Sequence, residues 1–206
     1  MNLVLASSSP RRAMLLRSLG LQFTTVKPRA TESGDAGLPP GELVKMNSKN
    51  KANSVAVEST DDVLILGADT VVYLEGRVLG KPRDLEQARE MLGALSAKRH
   101  FVYTGLTLID LKSGEVSTDF EQTAVTFRPL SSSDIERYLE TVVPLDRAGA
   151  YTVEGVGSLL VERFEGCYYN VLGLPLVKLD KMLRTFGFDL FSLSRRTENR
   201  PSYLRE

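Results

Sequence analysis

The first twenty residues limit the fold more than any other stretch of this chain. Residues Asn2–Ala6 form an apolar run that is typical of a short buried strand. Three serines follow, and Pro10 suits the first position of a helix that has Ser9 as its N-cap and Gly20 as its stop. A strand that leads into a helix through so short a loop predicts an α/β fold.

The rest of the chain alternates between strand and helix patterns. Further helices are predicted at about 42–57, after the cap Asp84 with Gln87, after a capping box at Ser133 and Glu136, and after Pro175. Strands are predicted at 21–28, at 63–74 with an interruption at 67–69, in a hairpin of 100–111 with 115–130, and at 157–166. Because an antiparallel hairpin accompanies the alternation, we expect a mixed, twisted sheet with flanking helices.

Length and charge narrow the class of protein. The chain has 206 residues, which suits one large domain or two joined lobes, and 42% of them are hydrophobic. Basic and acidic residues both number 26, so the net charge is zero and gives no reason to expect a nucleic-acid polymer as the ligand. No apolar run is long enough to cross a bilayer, and the N-terminus lacks a signal-peptide layout. We therefore expect a cytoplasmic protein with no membrane partner.

Two residue types are scarce enough to exclude whole classes of site. His100 is the only histidine and Cys167 the only cysteine. Histidine-rich and cysteine-rich metal sites are excluded, and a Ser-His-Asp triad is disfavoured. Any metal should therefore have oxygen ligands, which predicts Mg²⁺ or Mn²⁺. A single cysteine forms no intramolecular disulfide, in keeping with a reducing cytosol.

The loop after the first strand carries an unusual number of donors. A helix N-terminus exposes N–H groups and a partial positive charge, which favour phosphate. Ser7, Ser8 and Ser9 add hydroxyls, and Arg11 and Arg12 add guanidinium groups. The alternative is a capped helix with solvated arginines, for which one serine is enough. These residues alone leave both interpretations open.

Asp69 is the sharper candidate. It directly follows the apolar run 63–68 and is predicted to lie at a strand end, where the ligand crevices of α/β sheets open. Gly67 and Ala68 before it are small enough to let a substrate approach the backbone. The alternative is a structural aspartate in a turn.

Other charged residues are weaker candidates. Glu32 lies in a polar loop and Lys51 on a predicted helix surface, where each alone would be interpreted as solvated. Lys81 belongs to GRVLGKP, which resembles a P-loop but has one residue too few between its glycines and Pro82 in place of the Ser or Thr that binds Mg²⁺. Lys81 is then either a surface lysine or a lysine that points into a cleft.

The stretch 146–157, DRAGAYTVEGVG, gathers small residues around Tyr151 and Glu154. It fits either the floor of a nucleobase pocket or a tight connection between strands.

Six motifs resemble, in order and spacing, the Maf family of nucleoside triphosphate pyrophosphatases: LASSSPRR, LGADTVV, LGKPRD, VTFRPLSSSDIERYL, PLDRAGAY and VLGLPL. The resemblance implies one domain at 1–190 with two lobes around a cleft, related to the inosine triphosphate pyrophosphatases and usually dimeric. It also implies hydrolysis of a nucleoside triphosphate to the monophosphate and pyrophosphate with a divalent cation. We expect residues 191–206 to be a flexible polar tail.

The resemblance also implies roles for single residues. Asp69 matches the proton acceptor, and Lys51 and Lys81 match further catalytic positions. The positions that match the phosphate-binding signature are Ser7, Ser9, Arg11 and Arg12. The positions expected to set substrate specificity are Arg11, Thr70, Tyr151 and Glu154. Glu32 would join Asp69 as an oxygen ligand of the metal.

The substrate depends on Glu154. SPRR, GADT and AGAY resemble the branch that acts on dTTP and UTP, which has Gln where this chain has Glu154. A Gln amide both donates and accepts, as a pyrimidine edge requires, whereas an ionised Glu only accepts and suits the adjacent donors of guanine better. We expect dTTP and UTP, with 7-methyl-GTP or another purine nucleotide as the alternative. A nucleotide-binding regulator of septum formation is the alternative that is not an enzyme.

Overall fold

A computed structural model describes residues 2–30, 34, 37–57 and 62–194 of the chain. Glu32 and most of the predicted tail, residues 195–206, lie outside them, so both predictions stand as they are. The strands are β1 (Asn2–Ala6), β2 (Phe23–Val26), β3 (Val63–Leu74), β4 (Arg77–Leu79), β5 (Arg99–Asp110), β6 (Val116–Phe127) and β7 (Val161–Glu165). The α-helices are α1 (Pro10–Ser18), α2 (Pro40–Ala56), α3 (Leu85–Leu95), α4 (Ser132–Thr141), α5 (Tyr168–Val171), α6 (Leu176–Thr185) and α7 (Leu190–Leu193). Two 3₁₀ helices span Ala148–Ala150 and Gly155–Leu160.

The strands form one mixed sheet, as predicted. Their order is β2-β1-β3-β5-β6-β7, and β4 pairs with β3 beside this path. β1 is parallel to β2 and to β3, because α1 and α2 provide the crossovers that parallel strands need. The pairs from β3 through β7 are antiparallel. The α/β fold class is therefore confirmed.

The path of β3 differs from the prediction at residues 67–69, which include the candidate residue Asp69. The expected interruption at 67–69 is wrong, because β3 pairs with β5 along nearly its whole length. On the other edge of β3, however, pairing with β1 stops at Gly67 and pairing with β4 starts at Val72. The segment Ala68–Val71 consequently has no strand on that edge among the described residues. Asp69 thus lies beside the end of β1 and in the middle of its own strand.

The two faces of the sheet have different coverings. Side chains of β3 alternate between the faces. Ile65 and Val71 pack among residues of α2 on one face. Leu64 and Leu66 belong to the large core on the other face, to which α1, α3, α4 and α6 contribute. Odd-numbered residues of β3 therefore face α2, and even-numbered residues face the large core.

Two glycines let α2 lie directly on the sheet. A Cβ at Gly67 would collide with the backbone carbonyl of Ser48, and a Cβ at Gly105 with that of Val44. Gly105 pairs with Asp69 across the strands. The backbone of α2 therefore passes close to Asp69.

The helix caps were predicted with mixed success. Asp84 accepts a hydrogen bond from the Gln87 N–H, as expected. The capping box of α4, by contrast, is formed by Ser131 and Asp134, so its prediction two residues later is wrong. Glu136 is occupied by an ion pair with α3. No helix in the described ranges is long and apolar enough to cross a membrane.

Candidate active site

A cavity of about 620 Å³ opens at the gap on the edge of β3. The predicted site residues that line it are Ser7, Ser9, Arg11, Arg12, Lys51, Asp69, Thr70, Lys81 and Tyr151. Asp69 faces α2 and Thr70 faces the large core, because neighbouring strand residues point to opposite faces. Because β3 has no neighbouring strand at this gap within the part of the chain that the structure describes, a ligand in one cavity can reach both side chains. A neighbouring strand on this edge would block that access.

Asp69 is held by two side chains of α2. Lys51 Nζ donates to Asp69 Oδ1 at 2.6 Å, and Asn47 Nδ2 donates to Oδ2 at 3.0 Å. The Lys51 and Asp69 side chains are only 7% and 6% exposed, so the expectation that Lys51 lies on a helix surface is wrong. Asn47 was missed, although its spacing of four residues from Lys51 places both on one helix face. The carboxylate is thereby oriented, and each oxygen keeps lone-pair capacity for a ligand.

Ser7 serves as a donor toward the cavity. The Ser9 N–H donates to Ser7 Oγ at 3.1 Å, and Arg12 Nη1 donates to the same oxygen at 3.3 Å. These bonds use the two lone pairs of the hydroxyl, so its hydrogen is left for an acceptor such as a phosphate oxygen. Ser9 occupies the N-cap position of α1, as predicted, but its side chain makes no capping hydrogen bond.

Arg12 is fixed at the boundary between the cavity and the core. Its residue is 8% exposed. Its Nε donates to the carbonyl oxygen of Gly173 at 2.8 Å, and its Nη2 donates to Thr70 Oγ1 at 2.9 Å. Gly173 has φ of +96° and leaves room for Thr70, so a side chain there would be strained. The guanidinium therefore needs little rearrangement to meet an anion.

Arg11 belongs to a charged group on one side of the cavity. Burial and the neighbouring charge of Arg147 lower the pKa of Arg11, whereas Asp146, Glu154 and Tyr138 act in the opposite direction. Glu154 is half-buried and is not among the residues that line the cavity, but it is close enough to act on Arg11. Arg147, which the sequence interpretation missed, has a buried Nε and Nη1 with no hydrogen-bond partner within the described ranges.

Tyr151 lines the cavity, and its hydroxyl is buried in the interior. The hydroxyl lies 2.8 Å from His100 Nε2. His100 is fully buried, and burial lowers its pKa to about 4, so the ring is neutral at pH 7. Burial also raises the pKa of Tyr151. Phe127 packs edge-on against both rings.

Lys81 lines the cavity and is also exposed, so it is a surface lysine at the edge of the cleft. It follows Gly80, whose carbonyl oxygen accepts from the Gly149 N–H at 3.0 Å and so ties this loop to the 3₁₀ segment. Glu32 lies outside the described residues. Within the described part of the chain, no group of three or more His, Cys, Asp or Glu side chains could hold a metal.

The fold and the site define an α/β protein in which serine, arginine and lysine donors surround a buried carboxylate, an arrangement suited to a polyphosphate. The chain belongs to the family described as Maf-like protein, which matches residues 2–186.

Curated relatives cover nearly the whole chain. A dTTP/UTP pyrophosphatase of Moorella thermoacetica is 49% identical over 189 residues, which are 92% of this chain and 97% of that protein. A dTTP/UTP pyrophosphatase of Caldicellulosiruptor saccharolyticus is 47% identical over 190 residues, 91% of this chain and 96% of the relative. Among solved structures, the Staphylococcus aureus Ham1 protein matches 62% of this chain and 72% of its own, with 13% identity and a TM-score of 0.44, a likeness too weak to support a conclusion.

Proposed function

We propose that the chain is a nucleoside triphosphate pyrophosphatase that hydrolyses dTTP and UTP to the monophosphate and pyrophosphate. The observation that carries the proposal is the cavity at the gap in β3, which Arg12 and Lys81 line together with the ion pair of Lys51 and Asp69. A triphosphate needs concentrated positive charge beside a group that can take a proton from water. The names of the curated relatives support the same activity.

The reaction would proceed by attack of water on the α-phosphorus. Asp69 would accept the proton of that water, since Lys51 and Asn47 hold its carboxylate in one orientation. The bond between the α-phosphorus and the oxygen that bridges to the β-phosphorus would break, and pyrophosphate would leave with the electron pair. The Ser7 hydroxyl and the cationic side chains would stabilise the charge on the phosphate oxygens.

A divalent cation, Mg²⁺ or Mn²⁺, forms part of the proposal. The donor set fits such an ion, because Mg²⁺ in nucleotide sites is commonly held by one or two carboxylates plus substrate phosphates. Asp69 would supply a carboxylate oxygen, and Glu32 stays the predicted second ligand. When bound, the cation would neutralise phosphate charge.

The pyrimidine preference is proposed to depend on Arg11 and Glu154 together. The carboxylate can accept from the ring N–H of thymine or uracil, and the guanidinium can donate to an adjacent carbonyl oxygen. The pair would thus supply the donor and acceptor that one Gln amide offers. The charge of Glu154, which acts to raise the pKa of Arg11, supports this pairing.

A substrate panel tests the proposal. We would measure pyrophosphate release from dTTP, UTP, CTP, GTP and 7-methyl-GTP with Mg²⁺ or Mn²⁺. We expect dTTP and UTP to give the highest kcat/KM. Free phosphate as the first product would indicate a different phosphohydrolase, and tight nucleotide binding without hydrolysis would favour a regulator. A homodimer is also predicted from the resemblance and a cytoplasmic location from the sequence composition, and sedimentation analysis tests the first.

A further inference from the structure

A closed ring of hydrogen bonds connects the cavity to α5. Arg12 Nη2 donates to Thr70 Oγ1 at 2.9 Å, and Thr70 Oγ1 lies 2.9 Å from Thr104 Oγ1. Thr104 donates to the carbonyl oxygen of Asn170 at 3.0 Å. The Gly173 N–H donates to that same oxygen at 2.9 Å, and the Gly173 carbonyl accepts from Arg12 Nε at 2.8 Å.

The direction of every bond in this ring follows from the donors available. A carbonyl oxygen only accepts, so the single hydroxyl hydrogen of Thr104 is committed to Asn170. Thr70 must therefore donate its own hydrogen to Thr104. A guanidinium only donates, so the hydrogen bond from Arg12 occupies one lone pair of Thr70 Oγ1. Thr70 can then offer a ligand its remaining lone pair and no hydrogen.

The ring cannot readily reverse, because its inner half is buried and anchored. Thr104 and Asn170 are fully buried. Asn170 Nδ2 donates to the carbonyl oxygen of Val102 at 2.9 Å and to Thr123 Oγ1 at 3.0 Å. Water therefore has no access from which to supply a substitute donor or acceptor, and the orientation of the Thr70 hydroxyl is set from inside the protein.

Ser7 and Thr70 consequently offer a ligand opposite hydrogen-bonding roles, one as a donor and the other as an acceptor. Ser7 has a hydrogen to donate, which suits a phosphate oxygen, whereas the lone pair of Thr70 repels phosphate oxygens and needs a donor. Thr70 directly follows Asp69, the group placed at the α-phosphorus in the proposed reaction. The donor attached nearest to an α-phosphate is a hydroxyl of the sugar, and dTTP and UTP share the 3′-hydroxyl.

We propose that Thr104 and Asn170 are positioning residues that make Thr70 an acceptor for the 3′-hydroxyl of the nucleotide. The inference rests on the proposed function, since it takes the orientation of the substrate from Asp69. Thr104 and Asn170 would thereby influence substrate selection without contacting the substrate.

The first test uses the unaltered protein with dTTP and 2′,3′-dideoxythymidine triphosphate. One hydrogen bond of ordinary strength corresponds to roughly a fivefold to tenfold difference in kcat/KM, and we expect the dideoxy compound to be worse by at least this factor. Equal kcat/KM for the two nucleotides would overturn the inference while leaving pyrophosphatase activity established. If neither nucleotide is hydrolysed, the proposed function is refuted. The inference about the 3′-hydroxyl is then tested by the dissociation constants of the two nucleotides, measured by calorimetry, and equal constants would overturn it.

The second test changes the ring itself. Thr104→Val keeps the shape of the side chain but removes the acceptor of the Thr70 hydrogen, so the preference for dTTP over the dideoxy compound should shrink toward one. Thr104→Ser should restore the preference. Thr107→Val is the matched control, because Thr107 is equally buried on β5 and its hydroxyl bonds Ser48 and Thr118 instead.

Thr107→Val should keep the full preference. An unchanged preference in Thr104→Val, or the same loss in the control, would refute the positioning role. If Thr104→Val does not fold, Thr104→Ala, which also removes the hydroxyl, takes its place in the same comparison.

Discussion

The buried His100 should make folding stability depend on pH in a way that one experiment can isolate. The folded-state pKa is about 4, against an ordinary value of about 6.5, so the unfolded chain binds a proton more readily between these pH values. Stability is therefore fully present above about pH 6.5 and falls as the pH drops toward 4. At 1.36 kcal/mol per pH unit, the difference corresponds to about 3 kcal/mol, a substantial part of the stability of an ordinary domain.

Urea unfolding at pH 7.5 and at pH 4.5 measures this dependence. The titration formula gives about 2.5 kcal/mol of loss from His100 at pH 4.5. A His100→Gln variant carries the same carboxylates and should lose about that much less than the unaltered protein between the two pH values. Tyr151→Phe is the control, because it removes the partner at Nε2 and keeps the titrating ring, so its pH dependence should persist.

A direct titration needs no variant. The chain contains one histidine, so its ring protons should follow a single titration curve in NMR spectra. A midpoint between pH 6 and 7, or identical pH dependence in His100→Gln and the unaltered protein, would refute the reasoning that burial keeps this ring neutral.

Three further outcomes are expected at and near the site. Asp69→Asn should lower kcat by about 10² to 10⁴-fold while urea unfolding still shows a folded protein, because the amide oxygen can still accept from Lys51; full activity would remove Asp69 from its role. Glu154→Gln should raise the ratio of kcat/KM for dTTP over GTP, since the amide can donate to a pyrimidine carbonyl, and an unchanged panel would separate Glu154 from base selection. Gly67→Ala should cost about 1–3 kcal/mol in urea unfolding and reduce kcat by pushing α2 off the sheet, whereas Gly93→Ala, which has open space around its Cβ position and no positive φ, should cost nothing.

Much of the fold was readable from local signals. The strand and helix at the N-terminus, the cap at Asp84 and the hairpin of β5 with β6 are encoded within a few residues of where they form, and the structure has all of them. The continuous path of β3 was not readable in this way. Gly67 and Ala68 resemble a break, and only the pairing with β5, which is distant in sequence, shows that the strand continues.

The site was predictable in part for the same reason. Ser7 lies directly after β1 and follows from the order of elements along the chain, whereas Lys81 was placed in the cleft only by the resemblance. Asn47 and the ring through Thr104 do not, because a buried amide or hydroxyl has the same sequence signature as any other polar residue in a helix or strand. Their contribution arises from contacts across the sheet, which only three-dimensional packing brings about.

The gap in β3 explains why separate motifs meet in one place. β1 ends at Ala6, so the phosphate-type donors that follow it begin where its pairing with β3 stops. β4 ends at Leu79, so Lys81 enters from the other side of the same gap. The positions of these groups are thus set mainly by the residues at which strand pairing stops. A shift of β3 by one residue would exchange the faces of Asp69 and Thr70 and separate the carboxylate from Lys51. The geometry of the candidate site is therefore a property of the register of the sheet.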